Sequence, residues 1–137
     1  MFTAIRKINF YDCDPAGVLF YAKIYELCHS VYEEMISSFN LKDDYWKNED
    51  YIVPIIHSEA RYHKPLIYNS FVQIELYVDK ISSSAFNLAY NCTNENGELC
   101  VEVKTTHVFV DKKTWKKKQI KEDVQEGLKN HLKNNSR

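Results

Sequence analysis

Hydrophobic periodicity changes from helical to strand-like partway along this chain, and that change limits what it can fold into. Across residues 22–39 apolar side chains recur at three- and four-residue steps. Ile24, Leu27, Cys28, Val31, Met35 and Phe39 form one stripe of a long helix, while Glu26, Ser30, Glu33, Glu34 and Ser37 fall largely elsewhere. Asn40 stands where a helix terminator is expected. From residue 52 the period is two: Ile56, Ser58, Ala60 and Tyr62 face one way, and Ile55, His57, Glu59, Arg61 and His63 the other, up to Pro65. Val72, Ile74, Leu76 and Val78 mark a second such strand, and Phe86, Leu88, Tyr90 and Cys92 a third. Leu99, Val101 and Val103 open a fourth that runs to about Val110. Asn94-Glu95-Asn96-Gly97 is a hairpin signal between the last two. A short strand over 2–10, a polar loop or helical turn over 42–50, a short strand near 115–120 and a charged helix over 121–133 complete the reading. One helix followed by consecutive antiparallel strands is an α+β arrangement, in which the helix covers a curved sheet of five or six strands.

The 137 residues suit a single domain spanning 1–137, with 121–137 a charged terminal helix or tail. A net charge of −1 gives no global attraction to nucleic acid or to a membrane surface. No stretch approaches the roughly 18 apolar residues of a membrane span. Arg6 and Lys7 interrupt the first ten residues, which lack the apolar core of a secretion signal. Cys13, Cys28, Cys92 and Cys100 include no CxxC pair, so zinc binding is not expected and free thiols in a reducing cytoplasm are. Ten Tyr and seven Phe exceed what one small core buries, which points to a half-wet subunit interface.

The stretch that carries chemistry is Asn9-Phe10-Tyr11-Asp12-Cys13-Asp14-Pro15-Ala16-Gly17-Val18-Leu19-Phe20-Tyr21. Two carboxylates precede a turn that delivers the chain to the start of the long helix. That end offers unpaired backbone N–H groups and partial positive charge, which suit the oxyanion formed when a thioester carbonyl is attacked. A carboxylate a few residues upstream can serve there as nucleophile or as base on water. Gly17 allows backbone to approach a ligand closely.

Asp12-Cys13-Asp14-Pro15-Ala16-Gly17-Val18 with Tyr21 and Tyr25, then Pro54-Ile55-Ile56 and Tyr62-His63-Lys64-Pro65-Leu66, resembles the 4-hydroxybenzoyl-coenzyme A thioesterase family over residues 3–115. The resemblance implies a hotdog fold, a long helix wrapped by an antiparallel sheet, and hydrolysis of an acyl-coenzyme A thioester to free acid and coenzyme A. It makes Asp14 the catalytic carboxylate, Asp12 a loop-orienting residue, and the Tyr21 amide the donor that polarises the carbonyl. It also implies a homodimer or homotetramer with sites at the interface, no metal, and no cofactor beyond the coenzyme A of the substrate. Members acting on 4-hydroxybenzoyl-coenzyme A carry an acid fifteen residues after the catalytic Asp; His29 stands there, so the acyl group stays open. Ser82-Ser83-Ser84 replaces basic residues that the family places near the nucleotide, leaving Lys64, Lys80 or the lysines after Asp111 for the phosphates.

Blander readings stand beside these. Asp12-Cys13-Asp14 is also the composition of an Asx turn. An Asp-x-Asp after a strand occurs in haloacid-dehalogenase phosphatases, but those need alternating strands and helices that are missing here. Cys13 is a small filler before it is a nucleophile. His57, His63 and His107 lack ligand spacing. Glu59 is either a water-positioning residue near a partner's helix or a solvated strand residue, and Lys112, Lys113, Lys116, Lys117 and Lys118 form either a solvated face or a phosphate contact. A non-catalytic acyl-coenzyme A or acyl-carrier binding module is the alternative function on the same fold.

Overall fold

In the computed structural model, which describes residues 1–133, the long helix and the curved sheet form as the periodicities require. Strand β1 (Phe2–Ile8) leads through a short 3-10 turn (Phe10–Asp12) and the motif loop into helix α1 (Lys23–Ser38). Then come β2 (Tyr51–Ile52), β3 (Ile55–Tyr62), β4 (Ser70–Ile81), β5 (Ala85–Thr93), β6 (Leu99–Val108), β7 (Val110–Asp111) and helix α2 (Glu122–Lys129). The five long strands form one antiparallel sheet in the order β1-β4-β5-β6-β3, and β2 pairs with β7 apart from it.

Helix α1 lays Ile24, Cys28, Val31, Tyr32, Met35 and Ile36 on the sheet. The buried face is wider than the stripe read from spacing: Tyr32 and Ile36 join it, while Leu27 is only half-buried. Asn40, at φ +53°, takes the left-handed conformation that ends the helix. The hairpin forms as expected, with the Asn94 side-chain oxygen accepting from the Asn96 and Glu98 amides and Gly97 at φ +76°. Three expectations shift. Strand β1 stops at Ile8 because the Asp12 carboxylate captures the Asn9 amide and winds the 3-10 turn. Residues 115–120 make only a single bridge, Val110 with Lys117, after a left-handed Trp115 at φ +60° breaks the chain direction. The terminal helix is shorter than 121–133, and 134–137 lie outside the described residues.

Strand β3 departs from simple alternation. Ile55 pairs with His107 and His57 with Thr106, so Ile56 is the extra residue of a bulge. Ile55 therefore shares a face with Ser58, Ala60 and Tyr62, opposite the buried His107, Thr105, Val103 and Val101, while His57, Glu59 and Arg61 occupy the outer face. β3 is also an open edge. The His63 amide bonds the Cys100 carbonyl at 2.7 Å. Antiparallel alternation then turns the Glu59 and Arg61 amides toward β6 and leaves those of Ser58, Ala60 and Tyr62 pointing outward.

His107 is the polar exception in the interior. It is fully buried, stacked on Phe86 with ring centroids 4.8 Å apart, and its Nε2 lies 2.7 Å from the Thr105 hydroxyl. Burial, aided by nearby His29, pushes its pKa down to about 3. The unfolded chain takes up that proton near pH 6.5, so the unfolded state binds more protons between the two values. The associated stability is complete above pH 6.5 and is lost as pH falls toward 3. His107→Phe keeps a flat ring against Phe86. Urea unfolding at pH 6.5 and pH 4 should show wild type losing about 3 kcal/mol more than the variant. Parallel pH profiles for the two proteins would disprove it.

Candidate active site

Asp12 and Asp14 sit on either side of Cys13 and do different things. Asp12 is buried; its Oδ2 accepts the Asn9 amide at 3.1 Å, and its carbonyl accepts the Phe20 amide at 2.9 Å. This ties the strand end to the approach of α1, the loop-orienting part expected of it. Asp14 closes the next turn. Its amide donates to the Val18 carbonyl and its carbonyl accepts from Gly17, each at 2.9 Å. Its Oδ1 accepts from the Ala16 and Val18 amides at 2.9 and 3.3 Å. Asp14 is thus an Asx-turn residue, and the bland reading is correct as geometry. It does not displace the chemical one: Oδ2 takes no hydrogen bond from the described residues, so a carboxylate anchored through one oxygen presents the other.

Gly17 has its own structural reason. At φ +77° it needs no side chain, and a Cβ there would lie 2.9 Å from the Tyr68 ring. The group that approaches its backbone in this structure is Tyr68, whose amide also bonds the Gly17 carbonyl at 3.0 Å.

The chain then turns into α1. The Phe20 amide goes to Asp12 and the Lys23 amide to the Phe20 carbonyl; neither bond uses the Tyr21 amide. The Tyr21 ring is well exposed, and its carbonyl accepts the hydroxyl of Tyr62 from β3. Tyr62 belongs to the strand-end motif, and no feature of the sequence links it to Tyr21.

One cavity borders this loop and a second lies under α1. The first, of about 290 Å³, lies between Val18 and Leu19 of the loop and Tyr62, His63, Lys64 and Leu66, with apolar walls and a lysine in its lining. The other, about 140 Å³, lies between α1 and the sheet and is lined by Tyr25, His29, Ile55, Ser58, Tyr90 and His107, among others. His29 is half-exposed there, its Nδ1 2.9 Å from a Glu33 carboxylate oxygen. Thr105 and His107 belong to the wall that sequence reasoning missed. Glu59 is placed elsewhere: it is exposed on the outer sheet face, across from Lys104 and 3.1 Å from His57. Cys13 lies against the Asn9 carbonyl, and burial raises its thiol pKa, followed by the charges of Asp12 and Asp14; it has the character of a filler and not of a thiolate. Of the basic run, Lys118 is held by Asp50 and Lys112 by the Asn48 carbonyl, so both serve the loop at 48–50. Among the described residues no cluster of His, Cys, Asp or Glu has the makings of a metal site, and no helix is long and apolar enough to cross a membrane.

Comparison with known proteins bears on this arrangement. The family model of the thioesterase-like superfamily matches residues 8–128. A 1,4-dihydroxy-2-naphthoyl-CoA hydrolase of Nostoc punctiforme is 30% identical over 129 residues, covering 93% of this chain and 86% of the relative. One of the same name from Prochlorococcus marinus (strain NATL2A) is 31% identical over 127 residues, covering 87% and 81%. Among solved structures, a 1,4-dihydroxy-2-naphthoyl-CoA thioesterase from Synechocystis superposes with a TM-score of 0.86 at 24% identity, over 93% of this chain and 94% of the other. A Staphylococcus aureus protein solved in complex with CoA superposes with a TM-score of 0.89 at 16% identity, over 99% and 86%. The architecture is the hotdog thioesterase fold, as the motifs implied. The relatives named here are, by name, 1,4-dihydroxy-2-naphthoyl-CoA hydrolases, a family related to the 4-hydroxybenzoyl-coenzyme A thioesterases that the motifs resemble and distinct from them.

Proposed function

The chain belongs to the thioesterase-like superfamily, and from that premise we propose that it hydrolyses an acyl-coenzyme A thioester bearing a hydroxylated aromatic acyl group, with Asp14 as the reacting carboxylate. The observation that carries this is the asymmetric anchoring of Asp14, one oxygen bound by two backbone amides and the other left for chemistry. Oδ2 attacks the thioester carbonyl carbon, or takes a proton from water that does so. Charge gathers on the carbonyl oxygen, where the Tyr21 amide at the approach to α1 donates to it. Collapse of the tetrahedral species breaks the C–S bond and releases the coenzyme A thiolate. Along the first route the acyl-Asp14 anhydride is then hydrolysed by water. No cofactor is needed beyond the coenzyme A of the substrate. The four free cysteines accord with a reducing cytoplasm.

An aromatic acyl group suits the cavity beside His29, whose walls combine rings with hydroxyl and imidazole groups. Relatives named for a dihydroxynaphthoyl thioester support the same class. The working unit is a homodimer, or a pair of dimers, joined through the open β3 edge, so that the helix-side face of β3 from one subunit helps enclose the site of the other.

Thiol release should be measured with 1,4-dihydroxy-2-naphthoyl-, 4-hydroxybenzoyl-, benzoyl-, butanoyl- and decanoyl-coenzyme A. The hydroxyaryl substrates should lead the saturated ones by at least about tenfold in kcat/KM, because a site with polar groups aimed at a hydroxyl penalises substrates that lack it. Fastest turnover of a saturated chain would sink the aromatic assignment. His29→Ala should reorder this ranking more than it lowers the best rate; an unchanged order would remove His29 from the acyl pocket.

A further inference from the structure

We infer that Tyr62 is a positioning residue of the thioester site, its hydroxyl holding the Tyr21 carbonyl so that the amides at the start of α1 are fixed where a carbonyl oxygen acquires charge. This rests on the reading that the Tyr21 amide is the oxyanion donor. Few other groups restrain the peptides of that turn. Helix α1 has Ala22 at its N-cap, with no side chain to accept from the first amides. Asp12 holds the Phe20 amide and the Phe20 carbonyl holds Lys23, so the Phe20–Tyr21 peptide is gripped on its carbonyl side. The next peptide, Tyr21–Ala22, has Tyr62 on its carbonyl oxygen, from forty-one residues away. With both carbonyls engaged, the two peptide planes that meet at the Tyr21 Cα are each held: Lys23 fixes the plane that carries the Tyr21 N–H, and Tyr62 fixes the plane that carries the Ala22 N–H. Pre-set donors of this kind stabilise developing charge without reorganising during reaction.

The hydroxyl has a second effect. A donor on the Tyr21 carbonyl polarises that peptide and makes the Ala22 N–H a stronger donor toward the same region. Burial raises the Tyr62 pKa, with neighbouring Tyr25 and Cys28 adding to it, so the phenol remains a proton donor through the neutral range. Tyr62 comes from the helix-side face of the open β3 edge, opposite Val101. The strand that offers its backbone to a second subunit is therefore the strand that steadies the turn.

The test is Tyr62→Phe, which keeps the ring in its place against the loop and deletes only the donor. Steady-state thiol release should be followed with the best substrate of the panel above, alongside thermal unfolding and the affinity for a non-hydrolysable acyl thioether of coenzyme A. We expect kcat to fall about tenfold, with KM and thioether affinity within about twofold and the melting temperature within about two degrees, as for an interaction that matters only in the transition state. An unchanged kcat would overturn the inference. So would a kcat loss accompanied by equal losses of thioether affinity and melting temperature, the mark of general structural damage. Tyr21→Pro, which removes the amide itself, separates the role of the amide from that of Tyr62. If Tyr21→Pro is inactive while Tyr62→Phe turns over like wild type, the Tyr21 assignment stands and the role of Tyr62 fails. If a folded Tyr21→Pro protein is active, the amide reading fails and Tyr62 falls with it.

Discussion

Replacing Asp14 by Asn should lower kcat/KM for thioester hydrolysis by about a thousandfold while leaving a folded, assembled protein. On the proposed mechanism the turn uses one oxygen of this side chain and the reaction the other, which makes the substitution clean. The turn needs an acceptor for the Ala16 and Val18 amides, and an amide oxygen supplies it as well as Oδ1 does. The reaction needs an anion at the second oxygen, and Asn puts an NH₂ there. Substrate should therefore still bind, and a thioether analogue should keep its affinity. Asp14→Glu is the sterner control on geometry. The extra methylene carries the carboxylate about 1 Å beyond its place, a displacement worth roughly a hundredfold, and it also lengthens the side-chain arm that closes the Asx turn. Burst kinetics with wild type would show whether an acyl-enzyme accumulates, which the two routes through Asp14 predict differently. Retention of turnover in Asp14→Asn, in a preparation shown by mass to be free of wild type, would take Asp14 out of the reaction.

The parts of this molecule visible in the sequence are those governed by neighbours along the chain. Asn94 to Gly97 closes a hairpin because its own amide and glycine meet the turn's demands, and Asp12-Cys13-Asp14 winds the loop because both carboxylates bond amides within four residues. The rest depends on contacts made only on closure. The bulge at Ile56 has no local mark: each of Ile55, Ile56 and His57 is acceptable on either face, and the register against β6 decides. Glu59 consequently sits on the outer face, where parity alone could not place it relative to the helix. Tyr32 and Ile36 lie just off the expected stripe and are drawn in because the curved sheet wraps more of α1 than a narrow contact would. His107 read as one of several strand histidines. Only the stacking with Phe86 and the bond with Thr105, a residue two back on the same strand, reveal a buried neutral ring in the cavity wall.

Ala60→Pro should abolish assembly and sharply lower turnover. The Glu59 and Arg61 amides of β3 face β6, whereas that of Ala60 faces outward. Proline at 60 removes one outward donor and puts a ring where a partner strand would lie, without cutting a bond to β6. Ala60 is only half-buried, so the added ring has room on the edge. The face to be covered is apolar for an edge: Ile55 is 44% exposed, Ile56 65% and Tyr62 46%. A lone subunit would leave this open to water beside the acyl cavity, weakening every polar interaction there. Sedimentation at micromolar concentration should show wild type as a dimer or larger and Ala60→Pro as a folded monomer. Its hydrolysis should fall at least about a hundredfold, the scale of a site held out of register. Thr3→Pro, exposed on the opposite edge strand β1 with its amide turned away from β4, tests whether proline in an edge strand is harmful by itself; it should stay assembled and keep activity if folded. An Ala60→Pro monomer with wild-type turnover would show that one chain encloses its own site. An Ala60→Pro protein that remains dimeric would show that β3 is not where the subunits meet.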